Sequence, residues 1–142
     1  MTMPREPTSL LESTGYLLAR AGSESRRRFV EALATERLTL GAYSIVMLLG
    51  GIGEMTQREL GDAAGIDPRN LVPILDDVEE RGLLSRGEHR TDRRRHAVRL
   101  TPAGKAHLAR LAKVGADAEA SLLEPLSRSE RKQLHALLSR LL

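Results

Sequence analysis

From Thr8 to about Leu38 the apolar residues return at helical spacing: Leu10, Leu11, Leu17, Leu18 and Ala21, then Phe29, Val30 and Leu33. Gly22-Ser23 interrupts this stretch without a proline, so the pattern predicts one long helix with room for a bend. A second helix is expected from Thr39, as N-cap, through Tyr43, Val46, Met47 and Leu48 to a break at Gly50-Gly51-Ile52-Gly53. Thr56-Gln57-Arg58-Glu59 then reads as a capping box, in which hydroxyl and carboxylate each satisfy an orphan backbone N–H. It opens a short helix, Gln57 to Ala64, that Gly65 stops. Asp67-Pro68 is the next start signal, and Leu71, Ile74, Leu75 and Val78 carry an apolar face to Arg81-Gly82. Two helices separated by a few residues around a glycine make a helix-turn-helix.

Two short apolar segments follow, Leu83-Leu84 and Ala97-Val98-Arg99-Leu100, the second alternating as a half-buried strand does. They predict a β-hairpin. Thr101-Pro102 starts a long helix to about Leu123, and Ser127-Arg128-Ser129-Glu130 is a second capping box before a last, leucine-rich helix. The fold class is therefore mainly α with a small β-wing: a winged helix-turn-helix between long outer helices. Those outer helices carry leucine up to Leu142, where a lone chain's terminus is normally frayed and polar, so pairing of two copies is expected to bury them.

Charge sharpens the picture at one place. From Arg81 to Arg99 there are seven arginines against Glu88 and Asp92, a local +5 in a chain whose total is +3, so the remainder is net negative. A hairpin that pushes this charge outward suits a nucleic-acid backbone or groove, whereas read alone the stretch also fits a solvated charge run. Arginine outnumbers lysine heavily, and its planar fork matches phosphates and base edges. At 142 residues the chain fits one domain. No apolar run approaches the ~20 residues of a membrane helix, and MTMPREPTSL lacks a secretory pattern, so a cytoplasmic location and no membrane partner are expected. The absence of cysteine excludes disulfides, thiol sensing, cysteine-ligated zinc and cysteine nucleophiles.

Other patterns carry less. Gly50-Gly51-Ile52-Gly53 lacks the Lys-Ser or Lys-Thr of a phosphate loop and reads as a turn. His89, His96, His107 and His135 show no metal spacing, so neither metal nor cofactor is expected. Asp76-Asp77 and Glu79-Glu80 are neighbours that do not share a helix face, which makes them poor acid/base pairs. No Ser/His/Asp arrangement is recognisable, and an enzyme is not expected.

The segments TQRELGDAAGID, LVPILDDVEERGLL and DRRRHAVRLTPAG together resemble the MarR (multiple antibiotic resistance regulator) family of bacterial transcription factors. The Asp-Arg-Arg of the wing, a strand ending Leu-Thr and a glycine soon after are the most specific part, and the likeness runs from about Leu40 to Leu108. The resemblance implies a single domain over 1–142, with dimerisation helices at 8–38 and 102–142 and a DNA-binding lobe at 39–101. It implies a homodimeric repressor on a near-palindromic duplex, released by a small aromatic or phenolic effector. Thr56 and Gln57 would sit near the DNA backbone, where helix N–H groups favour phosphate. Arg69 and Asn70 would enter the major groove first, able to fork onto guanine and adenine respectively. Asp92 resembles the wing carboxylate that holds a neighbouring arginine. Arg93, Arg94 and Arg95 would place a guanidinium in the minor groove, and Arg90 would meet phosphate. Tyr16, Tyr43 and Met47 fall where the family's ligand pocket would open, with core or interface packing as the competing role. The competing function is a winged-helix module whose basic hairpin binds an acidic protein.

Two residues depart from the family pattern. Pro73 and Asp77 stand where basic or polar base-reading residues are common, which lowers the positive charge of the recognition helix. A proline at the sixth position of a helix capped by Asp67 would cost about 3 kcal/mol. The expectation is therefore a helix distorted between Arg69 and Pro73, by a late start at Asn70 or by a kink.

Overall fold

Every α-helix among the described residues starts on a short side chain that accepts a first-turn N–H, so the helix boundaries are set locally. The computed structural model describes residues 9–142. Ser13 caps α1 (Thr14–Ala34), Thr39 caps α2 (Leu40–Ile52) and Thr56 caps α3 (Gln57–Ala64). Asp67 caps α4 (Pro68–Glu80), Thr101 caps α5 (Pro102–Leu122) and Ser127 caps α6 (Arg128–Ser139). Both capping boxes form in full, with Glu59 and Glu130 returning a carboxylate to the N-cap N–H.

Three expectations need correction. The first helix does not reach Leu38: Leu10–Glu12 is a separate 3₁₀ turn, and α1 runs unbroken through Gly22-Ser23 but stops at Ala34. The stop is made by Arg37, held at φ 55°, which lets the Leu38 N–H turn back to the Leu33 carbonyl at 3.2 Å. The expected start at Thr8 lies outside the described residues. Second, Gly50-Gly51-Ile52 is not a turn but the last turn of α2, and the break falls at Gly53, φ 104°. Gly50 is needed because a Cβ there would come within 2.5 Å of Leu108 on α5. Third, α4 does not start late. Asp67 caps it, its carboxylate taking the Arg69 N–H at 2.9 Å and its carbonyl the Leu71 N–H at 3.0 Å, and the helix continues through Pro73. Arg69 and Pro73 both lie on the exposed side, so water can satisfy the carbonyl that proline leaves unpaired.

The wing is an antiparallel pair, β1 (Leu84–Glu88) with β2 (His96–Leu100), in register Leu84 to Leu100 and Glu88 to His96. Met55 adds a one-residue third strand by exchanging both backbone bonds with Val98, at 3.1 and 2.7 Å. Strand β2 therefore has neighbours on both edges. It is also not a simple in-out strand: Ala97 and Val98 are both buried, although they point to opposite faces.

Helix α2 is the centre of the core. Ala42, Ile45, Val46 and Leu49 are buried, and they meet Leu60 of α3, Leu71 and Leu75 of α4, and Leu111 of α5. Helix α1 packs along α5, where Arg28 donates to the Ser121 carbonyl at 2.7 Å and Arg110 pairs with the buried Glu36 at 2.7 Å. Helix α6 buries none of its residues, and Leu10, Leu11, Leu17, Leu18, Leu137 and Leu141 stay exposed near the two ends of the chain.

The wing joins α5 through a tight corner. The Thr101 N–H donates to the Leu83 carbonyl at 3.1 Å and its hydroxyl to the Gly82 carbonyl at 2.5 Å. Gly104 sits over the same strand: a Cβ there would overlap the Leu83 carbonyl oxygen and lie 3.0 Å from its carbon. Alanine in a helix is favoured over glycine by at most about 1 kcal/mol, while overpacking that shifts backbone costs about 1–3 kcal/mol, and here the Cβ would overlap a backbone oxygen outright. Gly104→Ala should therefore destabilise the protein, lowering its urea midpoint; an unchanged midpoint would show that the corner yields freely.

Candidate nucleic-acid interface

The helix-turn-helix brings α3 and α4 together at Gly61, where a Cβ would sit 3.1 Å from a Leu71 methyl and 3.3 Å from the Ile66 carbonyl oxygen. Gly65, at φ 65°, makes the turn between them. Leu71, Leu75 and Val78 face the core, which leaves Arg69, Asn70 and Pro73 outward on the first two turns of α4. The Arg69 side chain is 92% exposed and its Nε lies 3.4 Å from Asp67, so the capping carboxylate also steadies the guanidinium. Thr56 and Gln57 open α3 as N-cap and first residue, both half-buried. Three of the four acids of α4 are paired. Asp77 pairs with Arg81 at 3.1 Å, while Asp76 and Glu79 share Arg86 of β1 at 2.5 and 3.1 Å.

The seven arginines of the 81–99 stretch divide into two groups. Arg81, Arg86, Arg95 and Arg99 hold Asp77, Asp76 with Glu79, Glu59 and Glu54 respectively. The guanidinium groups of Arg90, Arg93 and Arg94 form no ion pair within 4 Å among the described residues, although the Arg90 N–H bonds Glu54, and all three residues lie in the exposed tip between His89 and Arg95. Asp92 shapes that tip through the backbone: its carboxylate accepts the Arg94 N–H at 3.0 Å and its carbonyl the Arg95 N–H at 3.1 Å. Of the three residues expected to place a guanidinium in the minor groove, Arg95 also meets α3, through a 2.7 Å pair with Glu59.

The expected ligand residues are not gathered into one site. Tyr43 stacks edge-on to Phe29 with ring centroids 4.8 Å apart, over Gly115 of α5, where any Cβ would come 2.8 Å from the phenol oxygen. Met47, one turn along α2, lines a separate open groove of about 360 Å³ with Ser44, Leu48, Ala63 and Ala64. Tyr16 is half-buried at the start of α1 and takes no part in the Phe29–Tyr43 contact.

The residue that organises the wing, Glu54, carries no local motif and was not expected. Its side chain is 16% exposed and lies between α2 and α3. One carboxylate oxygen accepts the Arg90 N–H at 3.1 Å and lies 3.5 Å from His89 Nε2; the other approaches Arg99 Nε to 2.9 Å, off the line of a hydrogen bond. Burial alone would raise its pKa, but the Arg90 N–H and the charges of Arg99, His89 and Arg90 together lower it. Glu59 is lowered as well, first by the Thr56 N–H and then by Arg95. A carboxylate whose folded pKa is depressed stabilises fully above its ordinary value, about 4.3, and loses that contribution as pH falls through the folded value. The wing should hence loosen in acid below about pH 4.3, seen as a fall in the protection of the Val98 amide relative to an unfolded chain at the same pH. Glu54→Gln should give faster exchange already at neutral pH and a weaker acid dependence; wild-type exchange rates in that variant would refute the assignment.

Comparison with known proteins agrees with this geometry. The MarR family model matches residues 38–96, the span from the corner before α2 to the start of β2. A putative transcriptional regulatory protein for the hcr operon of Thauera aromatica is 31% identical over 134 residues, covering 94% of this chain and 81% of that protein. A transcriptional repressor, CouR, solved bound to a 23-mer DNA duplex, is 34% identical, with a TM-score of 0.82 over 98% of this chain and 99% of its own. CouR from Rhodococcus jostii RHA1, solved with p-coumaroyl-CoA, is 26% identical, with a TM-score of 0.80 over 94% of both chains. With its helix-turn-helix, arginine-tipped wing and long outer helices, the chain belongs to the MarR family of DNA-binding transcriptional regulators.

Proposed function

We propose that the protein is a homodimeric repressor that grips a pseudo-palindromic duplex and releases it on binding a small aromatic effector. The observation that carries this is the location of the uncompensated charge: Arg90, Arg93 and Arg94 project together from the wing tip. A tip of this kind suits the minor groove, where narrow A·T stretches concentrate negative potential, and Arg90 suits the flanking phosphate. Arg69 and Asn70 would then reach base edges in the adjacent major groove, with Thr56 and Gln57 at the backbone. The repressor solved on a duplex, at 34% identity over nearly the whole chain, supports the same reading. This is a binding protein rather than an enzyme, acting in the cytoplasm, and no helix among the described residues is long and apolar enough to cross a membrane.

The exposed leucines near the chain ends support the dimer: residues 8–38 and 102–142 would supply its interface, and 39–101 the DNA-binding lobe. Two-fold symmetry sets the half-sites about one helical turn apart. For the effector, the relative solved with p-coumaroyl-CoA supports an aromatic group. Tyr16, Tyr43 and Met47 remain the candidates to meet it, Met47 from the open groove and Tyr43 from the aromatic contact with Phe29.

Substitution of the wing tip tests the reading. Arg94→Ala should weaken binding by about 1–3 kcal/mol, unequally on A·T and G·C variants of the site. Arg90→Ala should weaken it evenly and flatten the salt slope by about one unit. Unchanged affinity in both, with binding indifferent to duplex sequence, would turn the assignment towards a module for an acidic protein. Sedimentation as a monomer at micromolar concentration would refute the dimer.

A further inference from the structure

The exposed side of α4 carries a feature that phosphate contact does not use. With Leu71, Leu75 and Val78 inward, helical geometry turns Arg69 and Pro73 most directly outward, with Asn70 and Val72 on the flanks. Val72 is 40% exposed and Pro73 is exposed beside it, an apolar step on a helix whose own core face is already filled. Neither side chain can donate or accept a hydrogen bond, and proline removes its backbone N–H as well. Much of the Val72 surface still faces water, and proline inside the helix is a cost to folding. Further along the helix, Asp76, Asp77 and Glu79 are tied to Arg86 and Arg81 and the exposed Glu80 is acidic, so the first two turns are the part of α4 suited to a nucleic acid.

We propose that Val72 and Pro73 form an apolar contact for the C5-methyl group of a pyrimidine in the major groove, so that they select thymine at one position of each half-site. This rests on the DNA-binding reading above and adds to it a base and the side chains that read it. The C5-methyl is the apolar group on the major-groove edge of a base pair, and a side chain without hydrogen-bonding groups gains there while losing against any exposed donor or acceptor. The neighbours fit the same placement: Arg69 and Asn70, on the same two turns, supply the hydrogen-bonding groups that purine edges require. A 5-methylcytosine presents the same methyl group, so the test separates the two bases.

The experiment uses the full chain and a duplex it selects itself from a randomised library, followed by replacement of each thymine with deoxyuridine, which removes only the methyl. One thymine in each half-site should prove sensitive, losing about three- to fivefold per methyl and about ten- to twenty-five-fold when both half-sites are changed. Cytosine at that position should bind poorly and 5-methylcytosine should recover part of the loss. Val72→Ser with Pro73→Ser, which leaves no methyl on either side chain, should bring the deoxyuridine effect there below about twofold, leaving effects elsewhere unchanged. The deoxyuridine series on the unmodified protein requires no variant to fold. Uniform tolerance of deoxyuridine at every thymine, in a duplex still bound sequence-specifically, would overturn the methyl contact while leaving DNA binding intact. So would methyl sensitivity that survives the double substitution. Failure to retain any duplex would instead remove the DNA-binding reading and this one with it.

Discussion

Charge compensation at the base of the wing is what the rest of the interface depends on. Seven arginines within nineteen residues repel one another and would favour an open, solvated chain. The hairpin closes because acids from three other places reach it: Glu54 before α3, Glu59 on its first turn, and Asp76 and Glu79 on α4. Most of these pairs are half exposed, and singly each is worth little. Their value is in position, since each fixes one arginine against one element of the lobe. The charge that remains is delivered to the tip, where Asp92 sets the backbone.

The same economy ties the lobe to the long helices. The corner at Thr101 bonds to Gly82 and Leu83, and Gly104 lies against the Leu83 carbonyl, so the exit of α4, the start of β1 and the first turn of α5 form one stiff joint. At the opposite corner Glu36, after α1, meets Arg110 at 2.7 Å and His107 at 3.5 Å on α5. Between these joints α2 runs through the core and touches α1, α3, α4 and α5. Bonded backbone rather than a loose loop therefore links α5 to the exit of α4.

Features encoded within three or four residues were legible from the sequence. The capping boxes at Thr56 and Ser127, the Asp67-Pro68 and Thr101-Pro102 starts and the Gly65 turn stand as read, because each involves one turn of chain. What escaped was non-local. Glu54 bonds Arg90 and Glu59 bonds Arg95, each across 36 residues, and a lone glutamate between two helices carries no periodicity to announce it. Arg37 stopped α1 from a left-handed conformation in which glycine is the expected residue. Gly50 looked like a break, yet it marks the approach of Leu108. Pro73 looked like a distortion, and α4 continued because the lost bond lies on the wet side of the helix.

The unburied leucines of the first and last segments have a consequence for how much regulator a cell requires. If the proposed dimer forms by a second copy covering Leu11, Leu17, Leu137 and Leu141, which lie in water in the single chain, folding and pairing share one equilibrium. Its melting temperature then rises with its own concentration, and at low copy number the paired form grows as the square of the chain count. Small changes in synthesis are thus amplified before any operator or effector is met.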